Sequence, residues 1–117
     1  MINGAHVVLF SEDADADRRF FRDVLGFPAV DVGQGWLVFA LPPGEMGIHP
    51  TDERGSHELY LMCDDINTTM KDLLARGVEF TRPAIDEGFG LVAWIRTPGG
   101  GELGLYEPRH PIATGVN

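Results

Sequence analysis

A single cysteine, Cys63, stands among 117 residues. No internal disulfide can form, so a hydrophobic core must hold the fold, and a reducing, cytoplasmic setting is the implied compartment. With no basic neighbour to stabilise a thiolate, Cys63 reads as structural. Basic residues are scarce as well: 9 Lys and Arg against 18 Asp and Glu, a formal charge of -9. Nucleic acid is recognised by clustered cations, so this balance predicts no binding of DNA or RNA. Long apolar runs are missing. The opening MINGAHVVLF has no basic stretch, and its apolar run stops at Ser11-Glu12-Asp13; neither a signal peptide nor a membrane span is predicted. No G-x-S-x-G or phosphate-loop pattern occurs. Gly99-x-Gly101-x-x-Gly104 has dinucleotide-loop spacing, but a strand follows it, and phosphate binding there needs a helix N-terminus. Asp13-x-Asp15-x-Asp17 begins like a calcium loop but has Arg18 for its glycine and Val24 for its glutamate.

What is present is a repeat. Residues 44–50 read GEMGIHP and residues 101–108 read GELGLYEP. The two phrases stand 57 residues apart, whereas His6 and His57, like Gly26 and Gly77, stand 51 apart. The halves therefore match in order, and the second has six more residues before its closing phrase. Residues 2–50 form one module and 56–108 the other, within a single domain spanning 1–117; residues 109–117 are a tail without periodicity. Each module reads strand, helix, then three strands. In residues 13–25, Ala16, Phe20, Phe21, Val24 and Leu25 share one helical face, with acidic residues at the start and Gly26 at the stop. The second helix begins near Asp64-Asp65, places Ile66, Met70, Leu73 and Leu74 on one face, and stops at Gly77. Strands are expected over 6–10, 27–32, 35–41 and 45–49, and over 57–62, 79–83, 91–96 and 102–107.

A βαβββ unit covers one sheet face with its helix and leaves the other bare. Two such units can close their bare faces around a shared cavity. The expected class is α+β: two βαβββ modules forming a cup-shaped mixed sheet with helices outside. In the last strand Leu103 and Leu105 form the apolar set, mirrored by Met46 and Ile48. Alternation puts Glu102, Gly104 and Tyr106, mirrored by Glu45, Gly47 and His49, on the cavity face.

Three phrases carry a resemblance: His6 with FFRDVLGF at 20–27, HELYLMCDDI at 57–66, and TPGGGELGLYEP at 97–108. In this order and spacing the chain resembles the vicinal oxygen chelate superfamily, which holds glyoxalase I, bleomycin-resistance proteins and extradiol dioxygenases. The resemblance implies a metal site in which histidines open the first strands and glutamates stand in the last. His6 and His57 match the first pair, while Gly104 and Gly47 stand where the carboxylates belong. Two imidazoles alone make a poor site. Glu102, the best substitute, stands two residues away, about 6.6 Å along a strand. The metal candidates are therefore His6, His57 and Glu102, for Zn, Ni, Mn or Fe, with no tight metal expected.

The resulting expectation is a small organic ligand held in the cavity by His6, Val8, Phe10, Gly47, His49, His57, Leu59, Leu61, Gly104 and Tyr106, with Glu102 and Tyr106 as candidate acid–base groups. Two alternatives stand beside it. One is a metal-dependent lyase or dioxygenase of the glyoxalase type; the other is a drug-binding resistance protein. Trp36 and Trp94 are available either for stacking or for core packing. Homodimers are the common assembly of the resembled family.

Overall fold

The structure, a computed structural model, describes residues 6–48, 50–52, 54, 56–111 and 113. The observed class is the expected α+β. Asp13 caps the first helix by accepting the Ala16 N–H at 3.1 Å. Helix α1, Ala14–Arg19, runs without a break into a π-helical turn, Phe20–Val24, in which the Leu25 N–H donates to the Phe20 carbonyl. That turn sends both Phe20 and Phe21 inward, edge to face at 5.7 Å. Gly26 then takes φ +74°, the left-handed stop that favours glycine. Two short strands follow as an antiparallel ribbon, β1 Ala29–Asp31 and β2 Leu37–Phe39.

The second module is a complete βαβββ unit. Strand β3 is Tyr60–Met62, helix α2 is Ile66–Ala75, and β4 Glu79–Asp86, β5 Gly90–Arg96 and β6 Glu102–Pro108 complete it. The sheet order is β3-β6-β5-β4, with β3 parallel to β6 and the other pairs antiparallel. Asp65 caps α2 as Asp13 caps α1, accepting the Thr68 N–H at 3.1 Å. Glu107 reaches the same helix start from β6, its carboxylate accepting the Ile66 N–H at 2.9 Å. A carboxylate there also meets the positive end of the helix dipole. Strand β4 continues past Pro83, which an edge strand tolerates, and two register shifts bend it there.

One core serves both halves. Ile66 and Leu73 of α2 lie over Ala93, Ile95, Leu103 and Leu105 of the sheet, and Phe20 and Phe21 join the same cluster. The expected apolar set of β6, Leu103 and Leu105, is the one in this cluster. Polar clasps run between the halves: Arg76 donates to the Val24 carbonyl at 3.1 Å, and the Gly99 N–H donates to Asp17 at 2.6 Å.

The first module differs from its expected form. Residues 6–10 and 44–48 form no strand, and their apolar side chains are exposed: Val7, Val8, Leu9, Phe10, Met46 and Ile48. Among the described residues, no helix is long and apolar enough to cross a membrane.

Candidate ligand-binding site

Helix α2 covers one face of the four-stranded sheet. The opposite face carries a row of aromatic rings. Trp94 of β5 lies 5.3 Å from Tyr60 of β3, Tyr60 lies 5.9 Å from Tyr106 of β6, and Tyr106 lies 5.7 Å from Phe89. Two glycines make room for this row. A Cβ on Gly104 would overlap the ring of Tyr60, and one on Gly90 would overlap the ring of Tyr106. This is the close approach that a glycine inside a strand permits. The register agrees, since Gly104 stands between Tyr60 on one side and Trp94 on the other.

At one end of the row a cavity of about 430 Å³ opens, lined by Leu9, His57, Glu58, Leu59, Arg82, Trp94 and Glu102. Arg82 reaches across it. Its guanidinium sits 4.8 Å from the centre of the Trp94 ring and donates to Glu102 at 3.4 Å. Glu102 also accepts the Thr81 hydroxyl at 2.8 Å. That hydrogen bond, and then Arg82, hold the Glu102 carboxyl below the usual glutamate range. Glu58 faces the same space and accepts the Tyr60 hydroxyl at 3.4 Å. Burial, and then Glu58, push the Tyr60 phenol up; burial, and then Glu45, do the same to Tyr106. The Tyr106 hydroxyl is committed to the Phe89 carbonyl at 3.2 Å. Burial also raises the Cys63 thiol, in keeping with a structural role.

The expected site residues divide. His57, Leu59 and Glu102 line the cavity, and Gly104 and Tyr106 lie on the same sheet face. His6, Val8, Phe10 and Gly47 are exposed and do not line it; Leu9 takes the place expected for its neighbours. Leu61 packs against the core, and Leu59 does so too while its edge meets the cavity. His49 lies outside the described residues. Glu45 turns to the tail, where it accepts the Ala113 N–H at 2.7 Å and lies 3.6 Å from His110. Glu58 and Arg82 have no part in the sequence reading, and Trp94 appears there only as an option.

The face of β3 is the reverse of the expected one: Glu58 and Tyr60 face the open side, while Leu61 and Cys63 face the core. The side-chain period of a strand is two, so the face that holds Tyr60 turns Leu61 to the other side. Between the capping aspartate and the glycine stop the first helix holds one residue more than the second, Asp13 to Gly26 against Asp65 to Gly77. The π turn absorbs it, because each i→i+5 bond spans one residue beyond the α pattern.

Tested on this geometry, a tight divalent site does not fit the residues present. The ring of Tyr60 fills the space over Gly104, the position that the resemblance matches to a carboxylate. Glu102 is engaged by Thr81 and Arg82. Among the described residues, no three His, Cys, Asp or Glu side chains group closely enough to hold a metal ion.

Comparison with known proteins adds to this picture. The chain is similar in structure to a member of the Glyoxalase/bleomycin resistance protein/dioxygenase superfamily from Sphaerobacter thermophilus, at 24% identity and TM-score 0.64, covering 91% of this chain and 98% of that one. It is similar to TnmS3, an antibiotic binding protein from Streptomyces sp. CB03234, at 28% identity and TM-score 0.61, covering 92% and 99%. It shares the fold of a lactoylglutathione lyase from Agrobacterium tumefaciens, at 18% identity and TM-score 0.64, covering 90% and 92%. No curated protein matches it significantly by sequence. A family model matches residues 4–105, nearly the whole chain, and the protein therefore belongs to the Glyoxalase/Bleomycin resistance protein/Dioxygenase superfamily.

Proposed function

We propose that this protein binds a flat, largely apolar small molecule in the cavity on the open sheet face, without a tightly held divalent metal. One observation carries the reading: the ring of Tyr60 covers Gly104, so the position that a metal-binding relative would give to a carboxylate is part of an aromatic floor. A cavity of about 430 Å³ is in the range of small-molecule sites, and a few polar groups converge on it. The similarity to an antibiotic binding protein at 28% identity supports a binding role.

The test has two arms. Elemental analysis of protein purified without an affinity tag should find metal far below one ion per chain. Calorimetry with flat aromatic compounds should find one saturable site per chain, lost in Tyr60→Ala and in Trp94→Ala. Near-stoichiometric metal that disappears in His57→Ala would replace this reading with a lyase or dioxygenase of the glyoxalase type.

We further propose that the working form pairs two copies of the chain through the first module. Ten of the fourteen exposed large apolar side chains among the described residues belong to it, with Phe10 95% exposed. An apolar surface of that extent is uncommon on a monomer. Ten such side chains can supply on the order of the ~800 Å² per partner that a stable interface buries. Light scattering should give twice the chain mass, and Phe10→Asp should give the mass of one chain. A monomer for the unaltered protein would overturn the proposal.

A further inference from the structure

The chemistry of the cavity narrows the ligand class. This inference rests on the binding role just proposed and adds the ligand's charge. We propose that the site takes a planar cation, an aromatic system bearing an amino or amidine group, and that Arg82 is an internal stand-in which this ligand displaces.

The guanidinium of Arg82 is itself a flat cation. It lies over the face of Trp94 and donates to a carboxylate at the cavity wall, Glu102. Stacking on an indole with an acid at the rim is the environment a planar organic cation seeks. The hold on Arg82 is loose. Its contact to Glu102 is at the long limit of a hydrogen bond, 3.4 Å, and its side chain is half exposed. An ion pair so placed contributes little and can be given up. When the guanidinium swings to solvent it leaves Trp94 uncovered and two carboxylates facing the cavity, Glu58 and Glu102. Arg82 is the one Lys or Arg among the described lining residues.

A second pair elsewhere shows that stacking alone is not the signal. Arg18 lies 4.5 Å from the Trp36 ring and bonds Asp15 at 3.0 Å, yet neither Arg18 nor Trp36 lines this cavity. Among the described residues, the Arg82 pair alone combines indole, two carboxylates and a recess in the surface.

The sign of one substitution tests the idea. Two planar three-ring compounds of opposite charge serve as ligands: proflavine, a cation at pH 7, and anthracene-9-carboxylate, an anion. Calorimetry should show proflavine bound at one site per chain and the anion bound at least tenfold more weakly. Arg82→Ala should tighten proflavine several-fold, because the competitor is gone. Glu58→Gln and Glu102→Gln should each weaken it about tenfold, while Arg18→Ala leaves it unchanged. If Arg82→Ala weakens proflavine, or if the anion binds more tightly to the unaltered protein, the cation assignment is wrong. Should the anion binding then be lost in Tyr60→Ala, the cavity remains the ligand site and only the charge class falls. Binding of both compounds unaffected by Tyr60→Ala would overturn this inference and the proposed site together.

Discussion

The two modules spell nearly the same phrases, yet only the second closes a sheet. Strands β4, β5 and β6 are eight, seven and seven residues long, whereas β1 and β2 have three each. Their strand interiors differ. In the second module two of the closing strands offer an alternating apolar set: Ala93 and Ile95 on β5, Leu103 and Leu105 on β6, all under α2. In the first, β1 is exposed along its whole length, β2 is only half-buried, and residues 44–48 form no strand. A repeat of punctuation therefore preserves the order of elements without preserving their pairing. The better-packed module forms the aromatic floor of the candidate site, and the looser one leaves apolar surface open to a partner.

The largest expected effect sharpens this contrast in stability. Leu103→Ala should cost about 2–5 kcal/mol, since it empties a fully buried position. Phe10→Ala in the first module should change the stability of one chain by less than about 0.5 kcal/mol, as exposed sites do. Urea unfolding at several protein concentrations checks both. Equal losses in the dissociated chains would abolish the contrast.

The glycines give the next comparison. Gly104→Ala forces the ring of Tyr60 aside and should cost about 1–3 kcal/mol. The same substitution in a Tyr60→Ala background should cost much less, and this coupling is what a double-mutant cycle measures. Gly47, its counterpart in the repeat, is exposed, so Gly47→Ala should be nearly neutral. Additive effects at positions 60 and 104 would show that the ring does not rest on the glycine.

A smaller effect follows from Glu107, whose carboxylate holds the start of α2. Glu107→Ala should cost about 1 kcal/mol, in the range of a lost helix cap. Its repeat counterpart is Pro50, which has no carboxylate to offer α1. Thermal unfolding would show the difference, and an unchanged midpoint would count against the clamp.

The smallest effect concerns pH. Glu102 is depressed first by the Thr81 hydroxyl and then by Arg82, from an ordinary value of 4.5. A depressed carboxyl contributes fully above its unfolded value and loses the contribution as pH falls through its folded one. The carboxyl resonance of Glu102 should therefore inflect below pH 4.5, and Thr81→Val should move the inflection upward. An inflection unmoved by that change would assign the shift to another group.

What the sequence determined by itself was the two helices, the order of elements in the second module and the face of β6. Helical periodicity, capping aspartates and the glycine stops are local features, and local sterics and hydrogen bonds settle them. So are the alternating Leu103 and Leu105, which needed only the two-residue period of a strand to be placed in the core. The face of β3 was not legible from the histidines, because it is set by pairing with β6 and by which side chains pack into the core, Leu61 and Cys63 here. Nor was the π turn Phe20–Val24, which depends on the core accepting both Phe20 and Phe21. Tertiary structure alone also brought Arg82, Trp94, Glu58 and Leu9 to one cavity. They come from separate segments of the chain, and no spacing along a sequence encodes a distance that is set by strand register and sheet order.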